Sequence, residues 1–179
     1  MTLIVNHNIT LSLINQSHAL PIFNMVNTNR SYLKQWLTFV NNMTTVQIAQ
    51  NFVNSTMQQN IDKTTFAFVI FFNQVMVGRI GVYKIDTQNK IGEIGYWLVE
   101  TAQGNGIIIN ACKTIINFCF NTIALNRIEI KCATQNLKSK QVPLKLNFLH
   151  EGVIKQGELL NGNFIDLDLF ALLKSETKI

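Results

Sequence analysis

The stretch Tyr96-Trp97-Leu98-Val99-Glu100-Thr101-Ala102-Gln103-Gly104-Asn105-Gly106 decides how the chain is read. It reads as the end of a strand, a tight loop and the start of a helix. The first amides of a helix lack intrahelical acceptors and sit at the positive end of its dipole, so such a start is a natural anion site. Glycine at 104 and 106 lets the backbone approach an anion without interference from a Cβ. A diphosphate suits this chemistry. By itself, a Gly-x-Gly turn ahead of a helix is more often a plain connection than a ligand site. It is not a P-loop, because no Gly-Lys-Ser/Thr follows. Nor is it a dinucleotide fingerprint, because the third glycine is missing and antiparallel strands precede it.

Working outward, Thr65–Phe72 is rich in Phe, Val and Ile, Asn73-Gln74 makes a turn, and Val75–Tyr83 returns as a second strand. A polar turn at Asp86–Lys90 leads to a strand at Gly92–Val99, completing an antiparallel meander. Ahead of it stand a strand at Ile9–Ile14, short helices at His18–Asn27 and Ser31–Val40 with Ser31 as N-cap, and a longer helix at Thr44–Gln59. After the loop, Ile108, Ala111, Cys112, Ile115, Ile116, Cys119 and Phe120 form the apolar face of a helix running to Thr122. A strand at Arg127–Ala133 completes a crossover. Leu137–Leu146 is a short helix, shortened or kinked by Pro143. Strands at Phe148–Leu160 and Asn163–Leu173 flank the turn Asn161-Gly162. The fold class is α/β (α+β): a mixed, mostly antiparallel sheet with one central crossover helix.

The 179 residues fit one domain, and 47% hydrophobic against 14% charged residues argues against disorder. The longest apolar run, Phe66–Phe72, falls far short of the roughly 20 residues that span a bilayer. No basic leader precedes an apolar stretch, so the expected compartment is the cytoplasm. Cys112, Cys119 and Cys132 show no CxxC spacing and read as buried, reduced thiols. His7, His18 and His150 are scattered, so no metal is expected. The net charge of +5 is modest and spread along the chain, densest at Lys138–Lys145. Without a reader motif it gives no reason to expect direct nucleic-acid binding.

The loop resembles the acyl-CoA signature of the GNAT superfamily, Gln/Arg-x-x-Gly-x-Gly/Ala, with Gln103, Gly106 and Ile108 at its signature positions. Ile108 departs from the usual Gly/Ala, as larger residues do in the branch containing the Rim-type (RimJ/RimL-like) ribosomal-protein acetyltransferases. Ile94-Gly95-Tyr96-Trp97-Leu98, Leu125-Asn126-Arg127-Ile128-Glu129-Ile130, Asn136-x-x-Ser139, Phe148-x-x-Glu151-Gly152 and Asn161-Gly162-x-Phe164-x-Asp166 also resemble that branch. So does the early Asn29-Arg30-x-Tyr32-Leu33-x-x-Trp36-Leu37. The resemblance covers nearly the whole of 1–179.

It implies the GNAT acyl-CoA N-acyltransferase fold and acetyl-CoA as co-substrate. The strands before the loop and after the helix would splay apart, with the pantetheine arm between Ile94–Val99 and Glu129–Cys132. The diphosphate would rest on amides of Gln103, Gly104, Asn105, Gly106, Ile107 and Ile108, with Asn105 replacing a common basic residue. An amide near Leu98 or Val99 would polarise the thioester carbonyl. Glu93 is the first choice of base, its burial raising its pKa; the competing reading is a strand carboxylate in an ion pair. Pro143 stands where many GNAT enzymes place a tyrosine, and Ser139, one turn earlier, takes the role of acid. Asn136 would bind pantetheine or cap the helix.

Tyr32 and Trp36 either line the acceptor side or pack, and Glu158 and Asp166 either hold a cationic acceptor or are solvated. Asn147 replaces a glycine at a turn whose left-handed backbone Asn tolerates. The implied acceptor is a primary amine, first a protein N-terminus such as that of a ribosomal protein, with a homodimer an open option. The alternatives are a polyamine or aminoglycoside acetyltransferase, and a non-catalytic acyl-CoA-binding module.

Overall fold

A computed structural model describes residues 1–177 and places eight strands in one sheet. The strands are β1 (Thr2–Ile4), β2 (Ile9–Leu13), β3 (Phe66–Phe72), β4 (Val75–Asp86), β5 (Ile91–Leu98), β6 (Arg127–Ala133), β7 (Leu149–Leu160) and β8 (Asn163–Leu173). Their order is β1-β2-β3-β4-β5-β6-β8-β7. Every pairing is antiparallel except β5 with β6. A parallel pair needs a crossover, and helix α4 of this chain (Ile107–Asn117), continued by a π-helical turn at Phe118–Thr122, provides it.

Alternation along the strands divides the interior in two. Ile94 and Leu98 of β5 and Ile128, Ile130 and Cys132 of β6 face α4, against Ala111, Cys112, Ile115 and Cys119. On the opposite face, helices α1 (Ala19–Thr28) and α3 (Val46–Ile61) cover Ala67 and Val69, with Trp97 packed alongside. Thr45 caps α3, its hydroxyl accepting from the Ile48 amide at 3.3 Å. Arg79 of β4 is buried beneath α3, its guanidinium 4.4 Å from the centroid of Phe52.

The structure departs from the sequence reading in three places. Strand β1, too short to show a period, was not anticipated. The helix expected at Ser31–Val40 is only α2 (Arg30–Leu33), with Asn29 rather than Ser31 at the N-cap, followed by a 3-10 turn at Thr38–Asn41. Arg30 accounts for the break: its guanidinium donates to the carbonyl of Val40 and, at 2.6 Å, to that of Met43, curling the segment back. The helix containing Pro143, α5 (Leu137–Lys145), carries the proline inside it and is shortened by only one residue against the expected Leu137–Leu146. Asn147 adopts the left-handed conformation expected of it, at φ 60°.

Candidate active site

Strands β5 and β6 pair only through Ile91↔Arg127, Gly92↔Ile128 and Glu93↔Glu129. Beyond that point β5 stays with β4 as far as Leu98↔Gly78, and β6 stays with β8 as far as Ala133↔Leu167. The two strands therefore diverge into a V whose inner edges carry unpaired main-chain groups. The Val99 amide is already used, donating to the Val77 carbonyl at 2.8 Å. Successive amides of a strand point to opposite sides, so the Leu98 amide faces the V.

At the mouth of the V the loop turns through two left-handed glycines, Gly104 (φ 81°) and Gly106 (φ 67°). Gly106 is the N-cap of α4, and the first intrahelical bond runs from the Asn110 amide to its carbonyl at 3.1 Å. The amides of Ile107, Ile108 and Ile109 precede that bond and are free to meet an anion. The Asn105 side chain donates to the carbonyls of Ala102 and Gln103 at 3.2 and 3.1 Å, which shapes the loop. Gln103 spans the mouth: its Nε2 donates to Tyr32 Oη, and its Oε1 accepts from Lys138 Nζ at 2.9 Å.

Helix α5 brings Ser139 to the opposite wall. Asn136 caps α5, its Oδ1 accepting from the Ser139 amide at 3.1 Å. Pro143 has no N–H to offer the carbonyl four residues earlier, that of Ser139. Tyr96 fills the gap, donating its hydroxyl to that carbonyl at 3.1 Å, with its oxygen 3.3 Å from Ser139 Oγ. Burial pushes the Tyr96 phenol well above its ordinary range. Cys132, beside Ser139, is pushed up to about 11, first by burial and then by the nearby Asp168 carboxylate.

Glu93 lies on the other face of β5, and its carboxylate is occupied by Lys84 at 3.2 Å and Lys131 at 3.0 Å. Lys131 also meets Glu129, which meets Arg127, which meets Glu151, so Glu93 belongs to a ladder of ion pairs across the sheet. Glu158 differs. It is half-buried, and its pKa is raised by burial first and then by the charge of Glu93, with Lys84 opposing. Two bulges in the β7–β8 pairing, at His150/Gly152 and Ile154/Glu158, bend this hairpin. Its tip docks on the segment after α2, where Asn161 bonds the Lys34 carbonyl and the Asn41 side chain, both at 2.8 Å.

Under the hairpin lies a cleft of about 600 Å³, lined by Gln35, Trp36, Ala133, Thr134, Gln135, Leu160, Phe164, Ile165 and Asp166. Glu158 and Leu160 share one face of β7 by alternation. Asp166 is committed, accepting from Lys155 Nζ and the Gln156 amide at 2.8 Å each.

This geometry agrees with what comparison finds: residues 8–149 match the GNAT acetyltransferase domain. The chain belongs to the GNAT acetyltransferase family. It is 31% identical over 173 residues to a putative ribosomal N-acetyltransferase of Bacillus subtilis (strain 168), covering 96% of this chain and 94% of that protein. Over 170 residues it is 31% identical to the ribosomal-protein-serine acetyltransferase of Escherichia coli (strain K12), covering 95% of each. Among solved structures, a ribosomal α-N-protein acetyltransferase joined to coenzyme A by a cysteine disulfide superposes with a TM-score of 0.93 at 26% identity, covering 97% and 98% of the two chains.

As a GNAT enzyme the chain is an acetyl-CoA-dependent N-acetyltransferase, and the V, the loop and α5 have the matching chemistry. The loop has amides where a diphosphate would lie, the inner edges have main-chain groups where a pantetheine arm would pair, and the Ser139 hydroxyl stands on the α5 wall. The anticipated residues Leu98, Gln103, Gly104, Gly106, Ile107, Ile108 and Ser139 all border the V or its mouth. Asn136 acts as the cap of α5, and Val99 is drawn into the sheet. Glu158 was anticipated only as a possible acceptor contact. Among the described residues, no group of three or more His, Cys, Asp or Glu could hold a metal ion, and no helix is long and apolar enough to cross a membrane.

Proposed function

We propose that this GNAT enzyme transfers acetyl from acetyl-CoA to the α-amino group of a protein N-terminus, with a ribosomal protein as the first candidate. The observation that carries this reading is the lining of the acceptor cleft. Its one carboxylate, Asp166, is already paired, and Trp36, Leu160 and Phe164 give it an apolar floor. A polyamine would call for several free carboxylates, whereas a peptide end needs apolar contacts and one proton acceptor. The names of the Bacillus and Escherichia relatives point the same way.

In the proposed mechanism acetyl-CoA lies along the V with its diphosphate on the loop amides and its sulfur beside Ser139 and Cys132. The relative joined to coenzyme A through a cysteine supports a thiol facing the donor. An α-amino group titrates near 7.7–8.0, so the ammonium must lose a proton before it attacks. We assign that step to Glu158, acting through water, and not to Glu93, whose carboxylate is held by two lysines. The neutral amine attacks the thioester carbonyl, whose oxygen gains negative charge and takes a hydrogen bond from the Leu98 amide. Collapse of the tetrahedral adduct breaks the C–S bond; Ser139 Oγ–H gives its proton to the departing thiolate and regains one through water from the adduct's cationic nitrogen, so the products are the neutral amide and the thiol of coenzyme A. Holding both substrates in this register supplies much of the acceleration.

We place the enzyme, as one catalytic domain, in the cytoplasm, with the exposed edge strand β7 as the surface through which a homodimer would form. The test is thiol release from acetyl-CoA against ribosomal-protein N-terminal peptides, spermidine and an aminoglycoside. Release with peptides supports the reading. Release only with spermidine or the aminoglycoside replaces it with a small-molecule transferase, and donor binding without release from any amine points to a binding module.

A further inference from the structure

The loop that receives the donor has no cation of its own. It reads Gln103-Gly104-Asn105-Gly106, and α4 then opens with Ile107, Ile108 and Ile109. Acetyl-CoA nevertheless brings a diphosphate and a 3′-phosphate. The fold supplies a cation from another element. Lys138, in the first turn of α5, reaches across the mouth of the V, and its Nζ donates to Gln103 Oε1 at 2.9 Å. The other end of that carboxamide donates to Tyr32 Oη, so the Gln103 side chain is fixed at both ends. A neutral amide oxygen is a weaker partner for an ammonium than a phosphate oxygen, with which the bond is charge-assisted. Among the described residues, Lys138 forms no ion pair with a carboxylate.

We propose that Lys138 binds the diphosphate of acetyl-CoA, supplying the charge that the loop lacks, and that the Tyr32–Gln103 bridge holds it ready at the mouth of the V. The proposal rests on the acetyl-CoA site described above. Holding the side chain in place before the donor arrives reduces the ordering that binding requires. On binding, the ammonium exchanges the Gln103 oxygen for a diphosphate oxygen. Lys138 is exposed, so replacing it leaves the core intact.

The test compares the wild type with Lys138→Met and Lys138→Arg on three donors, with KM and kcat measured separately. With acetyl-CoA, Lys138→Met should raise KM about tenfold at unchanged kcat and flatten its dependence on salt, and Lys138→Arg should restore most of the loss. With the dephospho form of acetyl-CoA, which keeps the diphosphate, the same loss should persist. With S-acetylpantetheine, which has no phosphate, variant and wild type should coincide. An unchanged KM for acetyl-CoA in Lys138→Met overturns the proposal, as does a loss that vanishes with the dephospho donor. Failure of the wild type itself to bind acetyl-CoA, seen by calorimetry, would instead remove the donor site and this proposal with it.

Discussion

Tyr96 donates its hydroxyl to the main-chain carbonyl of Ser139 at 3.1 Å, filling the acceptor that Pro143 leaves open within α5. The proline that removes the usual GNAT tyrosine thus creates the bond that ties Ser139 to the wall of the V. Under the mechanism above, Ser139→Ala lowers kcat by about 10²-fold or more, with KM for acetyl-CoA little changed. Tyr96→Phe leaves the hydroxyl of Ser139 in place but frees its backbone. It should lower kcat less, and Pro143→Ala in that background should recover part of the loss by restoring the helical bond. Pre-steady-state release of thiol measures all three.

Glu158 and Glu93 separate the two candidate bases. Glu158→Gln should reduce kcat about 10²-fold or more, whereas Glu93→Gln, which only loosens a partly exposed ion-pair ladder, should leave it within about a factor of three. A base must be ionised to act, and the pKa of Glu158 is raised by burial and by Glu93. Activity should therefore fall as pH drops through that raised value, and Glu158→Gln should remove this acid limb from the pH profile.

Asp168 links β8, α5 and β7 through Lys140 at 2.8 Å and His150 at 2.7 Å. Burial pushes its pKa up, but hydrogen bonds from Lys140 and His150 outweigh burial and hold it below the ordinary value. A depressed carboxyl stabilises the fold above its unfolded pKa of about 3.9 and loses that contribution as pH falls through the folded value. Asp168→Asn should thus cost about 2 kcal/mol at neutral pH. In urea titrations its deficit against wild type should shrink below about pH 4.

Arg79 is buried, and its Nε has no hydrogen-bond partner among the described residues. Burial lowers its pKa. Stacking on Phe52 returns only part of the lost hydration, so Arg79→Met should leave stability unchanged or raise it by about 1 kcal/mol. Thermal unfolding checks the sign.

What was legible in the sequence was local. Glycines at 104 and 106 before an apolar helix allow an anion-binding turn, and the succession of strand, loop, helix and strand from β5 to β6 announces a crossover. Pro143 marked the missing tyrosine, but not that Tyr96, distant in sequence, would bond the carbonyl it frees. In sequence Glu93, set in an apolar stretch, reads as the base, and Glu158 only as a contact for a cationic acceptor or a solvated carboxylate. Their difference comes from two bulges in β7 and from lysines on β4 and β6, and a strand pattern records neither. The α2 segment was misjudged for the same reason: Arg30 bonds carbonyls of Val40 and Met43, and that contact overrides helix propensity.

The proposed reaction carries acetyl from a donor in the V to an α-amine in the cleft beneath the β7–β8 hairpin. It is tested most directly by incubating the protein with acetyl-CoA and a ribosomal-protein N-terminal peptide that also contains lysine, then fragmenting the product in a mass spectrometer. One added acetyl group is expected on the α-nitrogen, strongly reduced with Glu158→Gln or Ser139→Ala. Acetyl found on the lysine side chains alone, or at the same level with both variants, would contradict it.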